Sequence, residues 1–264
     1  VVAASPALPP LQAPPVPLQA ASSPRRSRVP PPIDSPTLAY DLALMDALIV
    51  AGDGSPVFRA SIGIIGDRIV TIGEVDRAGA YQVIECAGLH AAPGFVDIHD
   101  HTDVDILAAP EADNMLRQGV TTVVGGNCGS QSYPLAELFR GIEAQGVALN
   151  FAALAGHGTL RFLVMGERQT PTEADLVAME ALVEQEMASG AMGLSTGLFY
   201  RPGAYAGTAE VVRLAAVAAR HGGLYASHVR DESLGLRDAI AEAITIGETN
   251  RMPVQISHIK LGGG

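Results

Sequence analysis

The sequence predicts an α/β protein: a (β/α)8 barrel of the TIM type, with about six of the eight strands in this chain, behind a small N-terminal β domain. Three observations predict it. After Pro93, short apolar runs alternate with helical stretches, which is the rhythm of a parallel sheet. Before Pro93 the pattern is short strands and turns. The chemically versatile side chains then fall just past the carboxyl ends of several different strands, where a barrel gathers its site. An open doubly wound sheet also fits six β–α steps, but it would concentrate those side chains at one switch point.

Composition narrows the field. A chain of 264 residues can bury a substantial core, as one large domain or two smaller ones. Its net charge of -11 argues against nucleic acid as a partner. No apolar run reaches the length of a membrane span, so no membrane partner is expected. Two cysteines, Cys86 and Cys128, exclude a disulfide framework, though not a single bridge. No glycine-rich phosphate loop is present. Lys260 is the only lysine.

The elements follow in order. Residues 1–38 are rich in Pro, Ala and Ser and carry Arg25-Arg26-Ser27-Arg28, which predicts a disordered tail. The charges follow the apolar part, so the tail does not read as a secretory leader. The expected compartment is the cytoplasm, with the periplasm as the alternative if the tail is a processed remnant. Residues 39–92 read as the small β domain. Leu48-Ile49-Val50 runs into Gly52-Asp53-Gly54, and Ile62-Gly63-Ile64-Ile65 and Ile69-Val70-Thr71-Ile72 flank a hairpin turn at Gly66-Asp67-Arg68. Val83-Ile84-Glu85-Cys86 closes the set. Residues 93–264 read as the incomplete barrel. Its strands are Phe95–Ile98, Thr121–Val124, Leu149–Leu154, Met192–Ser195, Leu224–Ser227 and Val254–Ser257. The clearest helix starts at Thr170-Pro171-Thr172-Glu173, with Thr170 as N-cap and Glu173 completing a capping box. Leu176, Met179, Val183 and Met187 recur at helical spacing up to Gly190. Two more helices follow Thr208, up to Gly222-Gly223, and Ser233, up to about Gly247.

The chemistry sits at the strand ends. In Pro93-Gly94-Phe95-Val96-Asp97-Ile98-His99-Asp100-His101 two histidines stand at i and i+2. Strand alternation would aim both imidazoles to one side, as a divalent metal requires. Cys128, in Gly125-Gly126-Asn127-Cys128-Gly129, offers a thiolate, a strong zinc ligand. His228 and His258 follow the last two predicted strands. Any one of these alone is more often an ordinary structural residue; together, at one end of consecutive strands, they read as metal ligands. His90 and His221 lie at the wrong end of a strand and at a helix terminus. His157, in Gly156-His157-Gly158-Thr159-Leu160-Arg161, is expected to contact or support substrate.

Several segments together resemble a known family. Pro93–His101 is similar to the first-strand signature of the amidohydrolase superfamily. Gly119–Gly129, Gly156–Arg161, Gly193–Tyr200 and Gln255-Ile256-Ser257-His258-Ile259-Lys260 resemble the N-acyl-D-amino-acid deacylases (D-aminoacylases), and the resemblance runs from about residue 40 to the C-terminus. It implies a metal-bearing barrel beside a small β-sandwich, and zinc-dependent cleavage of N-acyl-D-amino acids, a small-molecule substrate. It assigns the tight zinc to Cys128, His228 and His258, a weaker metal position to His99 and His101, and the substrate carboxylate to Tyr200 and Lys260. Many superfamily members bridge two metals with a lysine after strand four; here Leu194-Ser195-Thr196-Gly197 has none, in keeping with Cys128 as the bridge. The family's catalytic aspartate, after the eighth strand, has no match, and Asp97, Asp100 and Asp103 are not substitutes. The expectation is therefore a C-terminally truncated chain, lacking strands seven and eight and part of the sandwich, with little activity and poor solubility. Two alternatives remain: a cyclic-amide hydrolase of the dihydroorotase type, against which the missing lysine counts, and a non-catalytic metal-binding fragment.

Overall fold

The computed structural model describes residues 39–262; the tail expected at residues 1–38 lies outside them. The chain divides into two compact units.

The first unit holds residues 39–49 and 56–91. Its strands are β1 (Tyr40–Ile49), β2 (Phe58–Ile65), β3 (Arg68–Gly73), β4 (Ala80–Glu85) and the two-residue β5 (His90–Ala91). They form one mixed sheet in the order β3-β2-β1-β4, with β5 also pairing β1. The predicted hairpin is present, with Ile65 opposite Arg68 across Gly66-Asp67. Ala47, Ile49, Ile62 and Cys86 make its small core. The described residues form this one layer and no second sheet facing it.

The second unit holds residues 50–55 and 92 onward. Its elements run β6 (Phe95–Asp97), α1 (Asp113–Leu116), β7 (Val120–Gly125), α2 (Leu135–Gln145), β8 (Asn150–Ala153), β9 (Ala155–Gly156), α3 (His157–Met165), α4 (Glu173–Ala188), β10 (Gly193–Gly197), α5 (Thr208–Arg220), β11 (Leu224–His228), α6 (Leu236–Asn250) and β12 (Val254–Ile256). Every strand pairing is parallel and joins neighbours in sequence. β8 and β9 are one stave interrupted at Leu154: β8 bonds back to β7 and β9 forward to β10. The result is six successive staves with helices between them, as in the wall of a barrel.

Packing explains the pattern. All five residues of β10 are buried, because a parallel strand is covered on both faces and has no polar side to show. Met179, Val183 and Met187 of α4, Val211, Leu214 and Ala215 of α5, and Ala239, Ala243 and Ile246 of α6 join one continuous core. The Met residues at helical spacing are thus core packing.

Two local expectations are corrected. The capping box of α4 belongs to Thr172 and Asp175, not to Thr170 and Glu173. Asp175 also grips Arg168 at 2.7 and 2.9 Å, which anchors the cap two residues later. Gly247 does not end α6, which runs on to Asn250 and stops at Arg251 in the left-handed conformation. A Cβ at Gly247 would lie 1.9 Å from Cγ2 of Val254, so this glycine lets the helix lie close against β12. No helix among the described residues is long and apolar enough to cross a membrane.

Candidate metal centre

The loop after β7 carries Cys128 and is shaped by its glycines. Gly126, Cys128 and Gly129 have φ of 72°, 54° and 74°. A Cβ on Gly126 would lie 2.1 Å from the Leu154 carbonyl oxygen, and one on Gly129 would lie 2.7 Å from the Gly197 nitrogen. Only glycine accepts both the backbone angle and the approach. Cys128 has no such freedom, so its left-handed backbone is held by its surroundings. Ser195, fully buried on β10, donates to the Gly126 carbonyl at 2.5 Å and accepts from the Gly129 N–H at 3.1 Å. Asp103 accepts from the N–H groups of Gly126 (3.0 Å) and Ser132 (2.8 Å). Asn127 donates to the Val124 carbonyl at 2.7 Å.

The loop presents Sγ of Cys128 to three imidazoles. His99 Nε2 lies 3.4 Å away, His228 Nδ1 3.6 Å and His258 Nε2 3.7 Å. Zn–S bonds near 2.3 Å and Zn–N bonds near 2.0 Å put neighbouring donors of a tetrahedral site about 3.5 Å apart. The residues present therefore fit zinc in donor type and spacing. Two donor sets form, each with its ligand atoms within 4.8 Å of one another: His99, His101 and Cys128, and Cys128, His228 and His258. Cys128 belongs to both.

The histidines reach this point by different routes. β6 ends at Asp97, so His99 and His101 sit in the bend beyond it, not on the strand, and strand alternation is not what brings them together. Asp97 accepts from the His99 N–H at 3.1 Å, and the two rings lie 5.6 Å apart. His228 is the last residue of β11 and only 3% exposed. His258 lies two residues past β12 with φ of 29°.

Burial sets the protonation of these donors. It pushes the Cys128 thiol up to about 11, with the Glu232 charge adding to the effect. It pulls His228 down to about 4, and it lowers His99, helped by the charges of His258 and His101. His228 and His99 are thus neutral near pH 7, the form that binds a metal.

The other predicted site residues divide. The Tyr200 ring lies 4.6 Å from that of His228. Lys260 Nζ lies 3.0 Å from Nδ1 of His258. His157 is in neither donor set; it is fully buried, with Nε2 2.9 Å from Oε1 of Glu210, which also accepts from Nε of the buried Arg161 at 2.9 Å. One residue escaped the sequence reading. Glu232 Oε1 lies 2.8 Å from Nδ1 of His258, 2.5 Å from Nζ of Lys260 and 3.7 Å from Nε2 of His228. Burial raises its carboxyl, but the Lys260 hydrogen bond and the His228, Lys260 and His258 charges outweigh this and hold it below the usual range. Its signal was the spacing of a carboxylate four residues beyond a strand-end histidine.

Residues 82–262 match the sequence pattern of the amidohydrolase family. The chain belongs to that family. Among amidohydrolases, it is similar to a D-aminoacylase of Alcaligenes xylosoxydans xylosoxydans, with 38% identity over 248 residues that cover 85% of this chain and 51% of the relative. An N-acyl-D-aspartate deacylase of the same organism is 36% identical over 255 residues, covering 87% and 51%. In fold, the chain matches the crystal structure of N-acyl-D-glutamate deacylase from Bordetella bronchiseptica, complexed with zinc and a phosphonate mimic of the tetrahedral intermediate. The TM-score there is 0.78 with 34% identity, over 81% of this chain and 50% of the other. The chain spans about half the length of the curated relatives it matches.

Proposed function

We propose that the protein is a zinc-dependent amidohydrolase that cleaves N-acyl-D-amino acids to a carboxylate and a free D-amino acid. The observation that carries this reading is one sulfur, Cys128 Sγ, within 3.4–3.7 Å of imidazole nitrogens reached from three other staves. The names and bound zinc of the deacylases it resembles support the substrate class and the metal. The same reading gives the whole protein the closed eight-stave barrel and the β-sandwich of the family, with the metal unit beginning near residue 93.

The residues take these roles. Cys128, His228 and His258 hold the tighter ion, and His99 and His101 serve a second position that shares Cys128. Zinc there supplies Lewis acidity, which polarises an acyl carbonyl and makes water acidic enough to attack near neutral pH. Lys260 and Tyr200 flank the donors and bind the substrate carboxylate. Asp97, Asp100 and Asp103 commit their carboxylates to backbone N–H groups, so none of them is assigned the proton transfer. The end of β10 carries no bridging lysine of the kind that would mark a cyclic-amide hydrolase, and Ser195, within the strand, braces the Cys128 loop. His157 acts from within the wall, steadying substrate-side structure through Glu210.

The test is release of free D-methionine from N-acetyl-D-methionine by the zinc-loaded protein. Release that Cys128→Ala abolishes is expected. Equal cleavage of the L-isomer would overturn the stereochemical assignment, and turnover that survives metal removal would overturn the mechanism.

A further inference from the structure

Glu232 is not a donor in either metal set, yet it meets His258, Lys260 and His228. It sits in the loop after β11 and reaches across to the segment after β12. One oxygen, Oε1, meets Nδ1 of His258 at 2.8 Å and the Lys260 ammonium at 2.5 Å. We propose that Glu232 is a positioning residue: it fixes His258 in the tautomer that leaves Nε2 free for zinc, and it keeps Lys260 from capturing that histidine. The inference rests on the zinc reading above.

The argument is one of proton placement. A carboxylate only accepts, so the Glu232–His258 contact requires the proton on Nδ1. Nε2, 3.7 Å from Cys128 Sγ, then presents its lone pair to the metal position. A carboxylate behind a ligand histidine also raises the basicity of the ring. Lys260 creates the hazard. Its Nζ lies 3.0 Å from the same Nδ1, and an ammonium only donates. Were Glu232 absent, Lys260 would bond to a bare Nδ1, the proton would move to Nε2, and the zinc-facing nitrogen would be blocked. The carboxylate accepts from both groups by one oxygen, and so keeps the proton on Nδ1 although the ammonium lies 3.0 Å from it.

The test measures zinc affinity by competition with a chromogenic chelator, so it needs no turnover. Glu232→Ala is expected to weaken zinc binding about 10–100-fold. Glu232→Gln, which keeps an acceptor oxygen of the same reach, should lose clearly less. Adding Lys260→Met to Glu232→Ala should recover part of the lost affinity, because the competing donor is gone. A structural support would give no such rescue. Affinity unchanged in both Glu232 variants would overturn the proposal while leaving the zinc reading intact. A double variant no tighter than Glu232→Ala would overturn the tautomer argument. Failure of the unaltered protein to bind zinc in the same assay would instead remove the functional reading, and this inference with it.

Discussion

Two polar clusters lie in the same unit, and both are built around a histidine at the carboxyl end of a buried strand. At His157 the ring meets Glu210, and Glu210 in turn meets Arg161, whose remaining N–H groups go to the carbonyls of Arg168 and Gln169 at 3.0 and 2.6 Å. At His228 the ring meets the Cys128 thiol and the His258 imidazole, a set able to share a cation. The first cluster is internally neutralised, a cation against an anion. The second turns the lone pairs of its sulfur and imidazoles toward one point, with the Lys260–Glu232 ion pair at its edge. The first cluster is the more deeply buried of the two, so depth of burial does not mark a reactive site. What separates them is whether metal-binding lone pairs converge on one point.

That contrast can be broken by removing one member of each. Glu210→Gln leaves the fully buried Arg161 facing no anion, and the loss of a partner in a buried ion pair costs about 3–5 kcal/mol. A urea melt should show that loss, while the zinc affinity of the folded variant stays within about threefold of the parent. Cys128→Ala should do the reverse. Structural zinc sites bind with roughly 10–16 kcal/mol shared over four ligands, so one thiolate accounts for about 3–4 kcal/mol, or some 10²–10³-fold in affinity. The metal-free stability of that variant should hardly move. If Cys128→Ala instead unfolds the metal-free protein, the donor cluster is structural and the contrast fails.

Much of this was legible in the sequence, and what was not has physical causes. The strand–helix rhythm gave the staves to within a residue or two, because each stave carries a short apolar stretch bounded by turns and helices. The cap of α4 was misplaced by two residues: Thr170 and Thr172 are both chemically fit, and only the Arg168–Asp175 contact chooses between them. His99 and His101 do face one cluster, but from a bend, so the i, i+2 spacing pointed the right way for a reason the structure does not share. The left-handed backbones at Cys128 and His258 have no sequence signature, since neither residue is a glycine. Glu232 was passed over because a carboxylate in a charged string reads as solvated surface until the lysine it meets, 28 residues later, is placed beside it.

Ser195 sharpens the comparison at smaller scale. Its hydroxyl joins the Gly126 carbonyl to the Gly129 N–H and so closes the cysteine loop. Ser195→Ala would leave a buried donor and acceptor unpaired, a cost of about 1–3 kcal/mol. Because the loop is what holds Cys128 at φ of 54°, zinc affinity should fall as well, whereas Glu210→Gln should cost stability alone. Equal zinc binding in Ser195→Ala and its parent would show that the loop is held by Asp103 and Asn127 without it.

The smallest effect lies in protons. With the Cys128 thiol pushed up to about 11, the metal-free site keeps its sulfur protonated across the neutral range. Zinc binds the thiolate, so uptake must release that proton, and apparent affinity should climb tenfold per pH unit, about 1.4 kcal/mol, between pH 7 and 9. His228, held down to about 4, gives up no proton in that window. Its own linkage runs through the metal-free fold. A histidine whose folded pKa is depressed contributes stability above its unfolded value near 6.5, and that stability is lost as pH falls from there through 4. Proton release measured in weakly buffered solution should therefore be close to one per zinc at pH 8. Zinc uptake without proton release would mean that the sulfur is already ionised before the metal arrives, and that the neighbouring imidazoles, not burial, govern its charge.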